Sequence, residues 1–267
     1  MKKSTPVGLV AAGNLTDSPL SRFRWLASRL GPVKSASFRV ARRIVNIIEA
    51  GHAVRDYADL DSCRTILICV PDDQLPKIIA ELLSSEIVWR GKAVVIFSTW
   101  LDSSQLDELS RRGAAIGSIS PIPGFDETRY LVEGDRLAIR ETSSLVEDRE
   151  RRAVAIEREH KLFYLAALTC TGNLLFTLIL AASEALHHAG VPALLSGTIL
   201  DRQLSRTFRS FLRGGKNAYP EVRELVPQLR ALRSVNPALA RYIEQSTSLA
   251  AQLMEKRSTA AIQGLSQ

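Results

Sequence analysis

Between His160 and Gly190 the chain reads HKLFYLAALTCTGNLLFTLILAASEALHHAG, and residues 162–183 carry neither a charged side chain nor a proline. No other feature of the 267 residues limits the fold as strongly. The helix it predicts closes at Gly190, a residue type suited to the position after a helix, and Pro192 cannot continue it. At 1.5 Å per residue the uncharged part spans about 33 Å, the thickness of a bilayer's hydrocarbon core. Thr169, Thr171, Asn173 and Thr177 interrupt it with polar groups, and both flanks have the make-up of soluble protein. A helix apolar on every side suits the centre of a helical domain or a dimer. The expectation is a buried central helix and no membrane span.

Ahead of that helix, short apolar runs alternate with amphipathic ones. Strands are expected at 7–11, 33–38, 53–57, 65–70, 93–98, 115–119, 130–133, 137–140 and 154–156, and helices at 19–30, 40–49, 74–84, 105–112 and 143–151. Strands and helices alternating at these lengths imply an α/β fold with a doubly wound parallel sheet. Beyond residue 160 the pattern is helical throughout, at 160–189, 196–212, 220–232 and 236–257. The domains expected are therefore 1–158, an α/β domain, and 159–257, an all-helical domain for substrate and dimerisation, with 258–267 as a flexible tail.

Composition excludes several classes. Cys63, Cys69 and Cys170 fit no CxxC or Cys/His ligand spacing and read as buried free thiols of a reducing compartment. The apolar run after Lys2 and Lys3 is too short for a signal peptide, so a cytoplasmic protein is expected. His52, His160, His187 and His188 form no metal constellation. The net charge of +7 comes from arginines spread over helices and not interleaved with aromatics, which argues for a solvated basic surface and no nucleic acid. Such a field favours a small anionic ligand. Arg202, Arg206, Arg209, Arg213 and Lys216 fall at helical spacing, either as a solvated face or as a seat for an acidic substrate or partner.

Ligands of an open parallel sheet bind beyond the carboxyl ends of its strands, where the strand order reverses. Three segments sit there. Ala12, Gly13, Asn14 and Leu15 follow the first strand, where a dinucleotide fingerprint would carry three glycines; only Gly13 is kept, with Ala11 and Thr16 at the other two places. An ordinary tight turn explains the same residues. After the second strand no ribose-binding acid is present, while Ser37, Arg39, Arg42 and Arg43 gather hydroxyl and guanidinium groups, which suits a 2′-phosphate and favours NADP(H) over NAD(H). A solvated helix face is the competing account. Val70, Pro71 and Asp72 form the third segment, where Asp72 can cap the next helix.

The VPDD turn, the SPIPGF turn, the EGDRLAIRE strand and then KLFYxAA with Asn173 following, taken in order, resemble the Rossmann-like proteins with a C-terminal helical domain of unknown function. These are related to 6-phosphogluconate dehydrogenase, the β-hydroxyacid dehydrogenases and pyrroline-5-carboxylate reductase. The resemblance runs over most of the chain, about residues 5–250, and implies a doubly wound parallel Rossmann-like sheet followed by an all-helical C-terminal domain that commonly dimerises. It also implies that Lys161, Tyr164 and Asn173 face a nicotinamide. The chain departs from the family pattern at Ser120-Pro121-Ile122, where H-P-L is usual. It departs again at Leu165, where a histidine follows the tyrosine, and at Phe97-Ser98-Thr99-Trp100, where H-x-S-G is usual. Histidine is the common proton donor near neutral pH, but a lysine whose pKa is lowered by burial can replace it.

Two functions follow as expectations. The first is an NADP(H)-dependent oxidoreductase of the β-hydroxyacid dehydrogenase or imine reductase type, moving hydride between nicotinamide C4 and a small substrate in an interdomain cleft. Gly13 and Asn14 would hold the pyrophosphate, Arg39 the 2′-phosphate, Ser98 would lie beside the cofactor, and Lys161 with Tyr164 or Ser120 would meet the reacting oxygen or nitrogen. The second is a non-catalytic nucleotide-sensing or partner-binding module, suggested by the eroded glycine loop and the missing histidines.

Overall fold

A computed structural model describes residues 6–12, 26–126, 128–218 and 226–263. The first part of the chain forms strand β1 (Val7–Ala11), β2 (Leu30–Lys34), helix α1 (Phe38–Ile48), β3 (His52–Ala53), β4 (Thr65–Cys69) and α2 (Leu75–Leu83). It continues as β5 (Ala93–Phe97), α3 (Asp107–Arg111), β6 (Ala115–Pro121), β7 (Arg129–Gly134), α4 (Arg136–Val146) and β8 (Arg152–Ala155). Helices then follow: α5 (Lys161–Thr169), a π turn (Cys170–Leu174), α6 (Leu175–His188), α7 (Ala193–Gly214), α8 (Val226–Val235) and α9 (Pro237–Gln263). The chain divides into two compact units, Met1–Ala166 and Ala167–Gln267. The division falls inside the long helix, whose first residue, Lys161, is enclosed by the first unit.

The first unit is an eight-stranded sheet in the order β3-β2-β1-β4-β5-β6-β7-β8, in which β7 runs antiparallel to β6 and the remaining neighbours are parallel. The order reverses between β1 and β4, the expected switch point. VGLVA, TILIC and AVVIF are unbroken apolar runs because their strands are covered on both faces. Leu67 and Cys69 turn one way, into a core shared with Ile44 and Ile48 of α1 and Ala138 of α4. Ile66 and Ile68 turn the other way, against Ile78 and Leu82 of α2 and Leu109 of α3. Helices on both faces make the sheet doubly wound.

The structure corrects several expected elements. Leu30, Gly31 and Pro32 belong to β2 and do not end a helix, and α1 starts at Phe38 behind Ser37, so the second strand is shifted toward the N-terminus. Only His52 and Ala53 pair as β3, and Tyr57–Leu60 is a short 3-10 turn. Residues 137–140, expected as a strand, lie in α4. Asp135 starts that helix, and its Oδ2 accepts from Ile116 N at 2.8 Å. Helix α9 continues to Gln263, past the point where a tail was expected.

The long apolar helix is not buried within the chain. Leu162, Phe163, Phe176 and Leu180 are 63, 75, 65 and 55 % exposed, and Cys170 is exposed too, whereas Cys63 and Cys69 are buried free thiols. Among the described residues this helix, Arg158–His188, is the one long and apolar enough to cross a membrane. Thr171 and Thr177 spend their hydroxyls on the carbonyls of Ala167 and Asn173 one turn back, so neither needs an outside partner.

Where β6 meets β7, Gly117 pairs with Gly134. Gly134 has φ +128°, and a Cβ there would lie 2.2 Å from the carbonyl oxygen of Ile116. Gly134→Ala should therefore lose about 2–4 kcal/mol from combined backbone strain and overpacking. A urea midpoint unchanged from wild type would show that the close approach of the two strands relaxes at no cost.

Candidate functional site

At the carboxyl ends of the first unit's strands the sequence places hydroxyls, carboxylates and one ammonium, and the fold sorts them into a partnered set and an unpartnered one. Ile116, Ser118 and Ser120 follow one another along one face of β6, and Ser118 stands opposite Glu133 on β7. Glu133 is 1 % exposed and Lys161, the first residue of α5, is 0 % exposed. The lysine Nζ donates to Ser118 Oγ at 2.7 Å, to the Ser98 carbonyl at 3.3 Å and to the Leu101 carbonyl. Ser118 Oγ in turn donates to Glu133 Oε1, which lies 4.0 Å from the lysine nitrogen. Ser103 completes the carboxylate's shell through its backbone N–H at 2.8 Å and its hydroxyl at 2.7 Å.

An ammonium has three hydrogens, and here three acceptors use them. Burial pulls the Lys161 pKa below the ordinary lysine value, and Glu133, then Asp102 and Asp72, oppose that shift. Lys161 thus sits where the sequence put it, at the start of the long helix, but it faces carbonyls and serines of its own unit.

A second set of hydroxyls lacks partners. Ser120 is 1 % exposed and its hydroxyl has no partner among the described residues. The hydroxyls of Tyr164, one turn into α5, and of Ser35, just past β2, are buried and unpartnered in the same sense. Burial raises the Tyr164 pKa, so the phenol keeps its proton at neutral pH. These three hydroxyl oxygens, with Arg29 Nε, are buried without a partner among the described residues, a partner that buried polar groups ordinarily find.

Around the switch point the outcomes differ residue by residue. Ala12 extends the β1–β4 pairing, its N–H donating to the Cys69 carbonyl at 3.2 Å. Gly13, Asn14 and Leu15 lie outside the described residues. Ser37 caps α1, its Oγ accepting from Val40 N at 3.3 Å, so its oxygen serves the helix first. Arg39, Arg42 and Arg43 line a shallow groove of about 290 Å³ with Phe38 and Asn46. The Arg55 guanidinium lies 4.6 Å from the Phe38 ring centre. Val70 packs on the core, and Pro71 precedes the 3-10 turn Asp72–Gln74. Asp72 does not cap that turn; its Oδ1 accepts from Ser98 Oγ at 2.9 Å and ties the end of β4 to the end of β5. Ser98 also accepts from the N–H groups of Trp100 and Leu101, so it organises the loop after β5. Asn173 belongs to the second unit, exposed within the π turn. No group of His, Cys, Asp and Glu suited to a metal is found among the described residues.

Sequence reading missed Glu133, Ser118, Ser103 and Ser35. A signal existed for one of them: RYLVEG is a strand buried at Tyr130, Leu131, Val132 and Glu133, and a carboxylate in such a strand needs donors.

The family model described as Domain of unknown function (DUF2520) matches residues 128–219, about a third of the chain. No curated protein matches the sequence. Among solved structures, a protein from Bacteroides fragilis superposes with a TM-score of 0.67 at 18% identity over 94% of this chain and 98% of its own. One from Thermotoga maritima gives 0.66 at 15% identity over 94% and 99%. The imine reductase from Aspergillus terreus, in complex with NADPH4 and a dibenzazepine, gives 0.64 at 17% identity over 96% and 95%. The likeness is one of fold: this is a Rossmann-like protein with a C-terminal helical domain.

Glu133→Gln replaces an acceptor that receives three donors by an amide and leaves the Lys161 charge without its carboxylate. It should cost about 3–5 kcal/mol, and Lys161→Met added to it should recover part of the loss in a double-mutant cycle. Because the folded-state pKa of Lys161 lies below its unfolded value, the unfolded chain binds more protons between the two. Wild type should then gain stability over Lys161→Met as pH rises through that interval. Additive losses with no pH trend would show that the two groups act independently.

Proposed function

We propose that the protein is an NADP(H)-dependent oxidoreductase of the β-hydroxyacid dehydrogenase or imine reductase type, acting on a small, anionic substrate. The end of β2 carries this reading. Residues 35–43 contain no carboxylate to take a ribose 2′-hydroxyl, while a buried, unpartnered Ser35 hydroxyl lies just past β2 and Arg39, Arg42 and Arg43 line a groove on the helix that follows it. These residues fit a 2′-phosphate, and Gly13 and Asn14 keep their assignment to the pyrophosphate by position in the chain. The same fold holds NADPH4 in the Aspergillus terreus imine reductase, which supports the assignment.

When bound, the cofactor supplies hydride. The chain's own task is to hold the substrate, exclude water and deliver one proton to the oxygen or nitrogen that gains electrons. Tyr164 suits that delivery, since its hydroxyl is buried, protonated and unpartnered. Ser120 is a second free hydroxyl for orienting the same atom. Lys161 has no hydrogen left to give; it is a positioning residue that sets β6 and α5 through Ser118. Asn173 keeps its place in the proposal on the family resemblance alone. Enclosure of Lys161 and the missing histidines favour the second reading, a nucleotide-binding module without turnover.

Calorimetry with NADPH and NADH separates these outcomes. NADPH should bind at least about tenfold more tightly, and Arg39→Ala should abolish that preference by weakening NADPH about 10–100-fold, the worth of one charge-assisted bond. Tyr164→Phe should keep NADPH binding and lose turnover on carbonyl or imine substrates. Saturable binding with no turnover by wild type would select the module, and no heat with either nucleotide would remove the cofactor from the proposal.

A second copy of the chain is our proposed cover for the exposed long helix. Both ends of that helix are tied to protein: Lys161 is enclosed by the first unit, and Glu184 accepts from Asn236 Nδ2 at 3.0 and 3.1 Å. Sedimentation should give twice the chain mass, and Phe163→Glu with Phe176→Glu should give the monomer. A wild-type monomer, or one that pellets with lipid vesicles, would refute the dimer.

A further inference from the structure

Helix α7 carries a second basic feature, in the second unit, that the reading above does not use. Arg202, Arg206, Arg209 and Arg213, with Asp201, Ser205 and Ser210, line a groove of about 420 Å³. All four guanidinium side chains are exposed, and none has an ion-pair or hydrogen-bond partner among the described residues. Lys216, which the sequence pattern adds to the cluster, has a side chain outside those described.

At 100° per residue the four arginines fall within about 60° of one another and extend over about 16 Å of helix. Leu204, Phe208 and Phe211 centre on the opposite side and are 37, 62 and 59 % exposed. From Arg202 to Arg213 the helix therefore presents an apolar stripe and a cationic one. Four like charges on one face repel, and no carboxylate of the described residues relieves them except Asp201 at one end, which makes no salt bridge with them. Such an arrangement is stable at low cost only in water or against an anion.

We propose that this groove binds a compact, multiply charged anion, a ligand carrying two or more phosphate or carboxylate groups. Guanidinium forks bind both groups through paired hydrogen bonds, and the Ser205 and Ser210 hydroxyls add neutral donors between them. The volume lies in the range of small-ligand pockets. A nucleic-acid strand fits worse. It asks for aromatic platforms interleaved with the cations, and here the phenylalanines face the other way. Asp201 also closes one end of the stripe to a longer run of negative charge.

Inorganic tripolyphosphate and citrate, titrated separately into the full chain by calorimetry, test the proposal and distinguish the two sources of charge. Saturable binding of at least one is expected, with one site per chain. Arg206→Glu with Arg209→Glu should weaken it at least about tenfold, as the loss of two charge-assisted contacts requires. Arg206→Gln with Arg209→Gln, which removes charge without reversing it, should weaken it too while leaving the far-ultraviolet circular dichroism unchanged. NADPH binding should be unchanged in both variants, which separates this groove from the site after β2. No saturable binding of either anion, affinity unaltered in both variants, or binding lost only with Arg39→Ala would each overturn it.

Discussion

A lysine ammonium with no exposed surface lies at the junction of a Rossmann-like sheet and the helix that leaves it, and the first unit's architecture around that point follows from satisfying it. Removing the charge from water costs several kcal/mol unless every hydrogen finds an acceptor. The acceptors come from the end of β5, from the loop after it and from β6, with the balancing carboxylate on β7. These bonds hold the first residue of α5 to the first unit. They also explain which hydroxyls stay bare. Ser118 is consumed by the lysine and the glutamate, so Ser120, two residues further along the same face, is the one left unpartnered.

Two basic features differ in the backbone that carries them. The arginines of α1 line a groove on the helix that follows β2, the neighbour of β1 in the sheet. The arginines of α7 stand on a helix with no sheet edge beside them in the described lining, and their geometry is that of a stripe. Similar residue types thus carry different assignments because the backbone beneath them differs.

Much of the fold was legible in the sequence for a local reason. VGLVA, TILIC and AVVIF announce strands covered on both faces, and the alternation of such runs with amphipathic stretches announces helices on either side. Legibility failed where one residue's long-range bond overrides a local pattern. Residues 137–140 look like a strand until Asp135, just past β7, is seen to start a helix and accept from Ile116 of the neighbouring β6. Asp72 looks in the sequence like a helix cap; its carboxylate instead accepts from Ser98, across 26 residues of chain. The burial expected of the long helix failed differently, since its apolar surface exceeds what one chain covers.

The sequence by itself determined the apolar strands VGLVA, TILIC and AVVIF, the helical C-terminal part and the lack of an acid after β2, because periodicity and composition act over a few neighbouring residues. Only the tertiary structure decided that Lys161 is a buried strut and that the hydroxyls of Ser120, Tyr164 and Ser35 are buried without a partner among the described residues. A buried charge chooses its partners by distance in space, and its acceptor Ser118 lies 43 residues away along the chain.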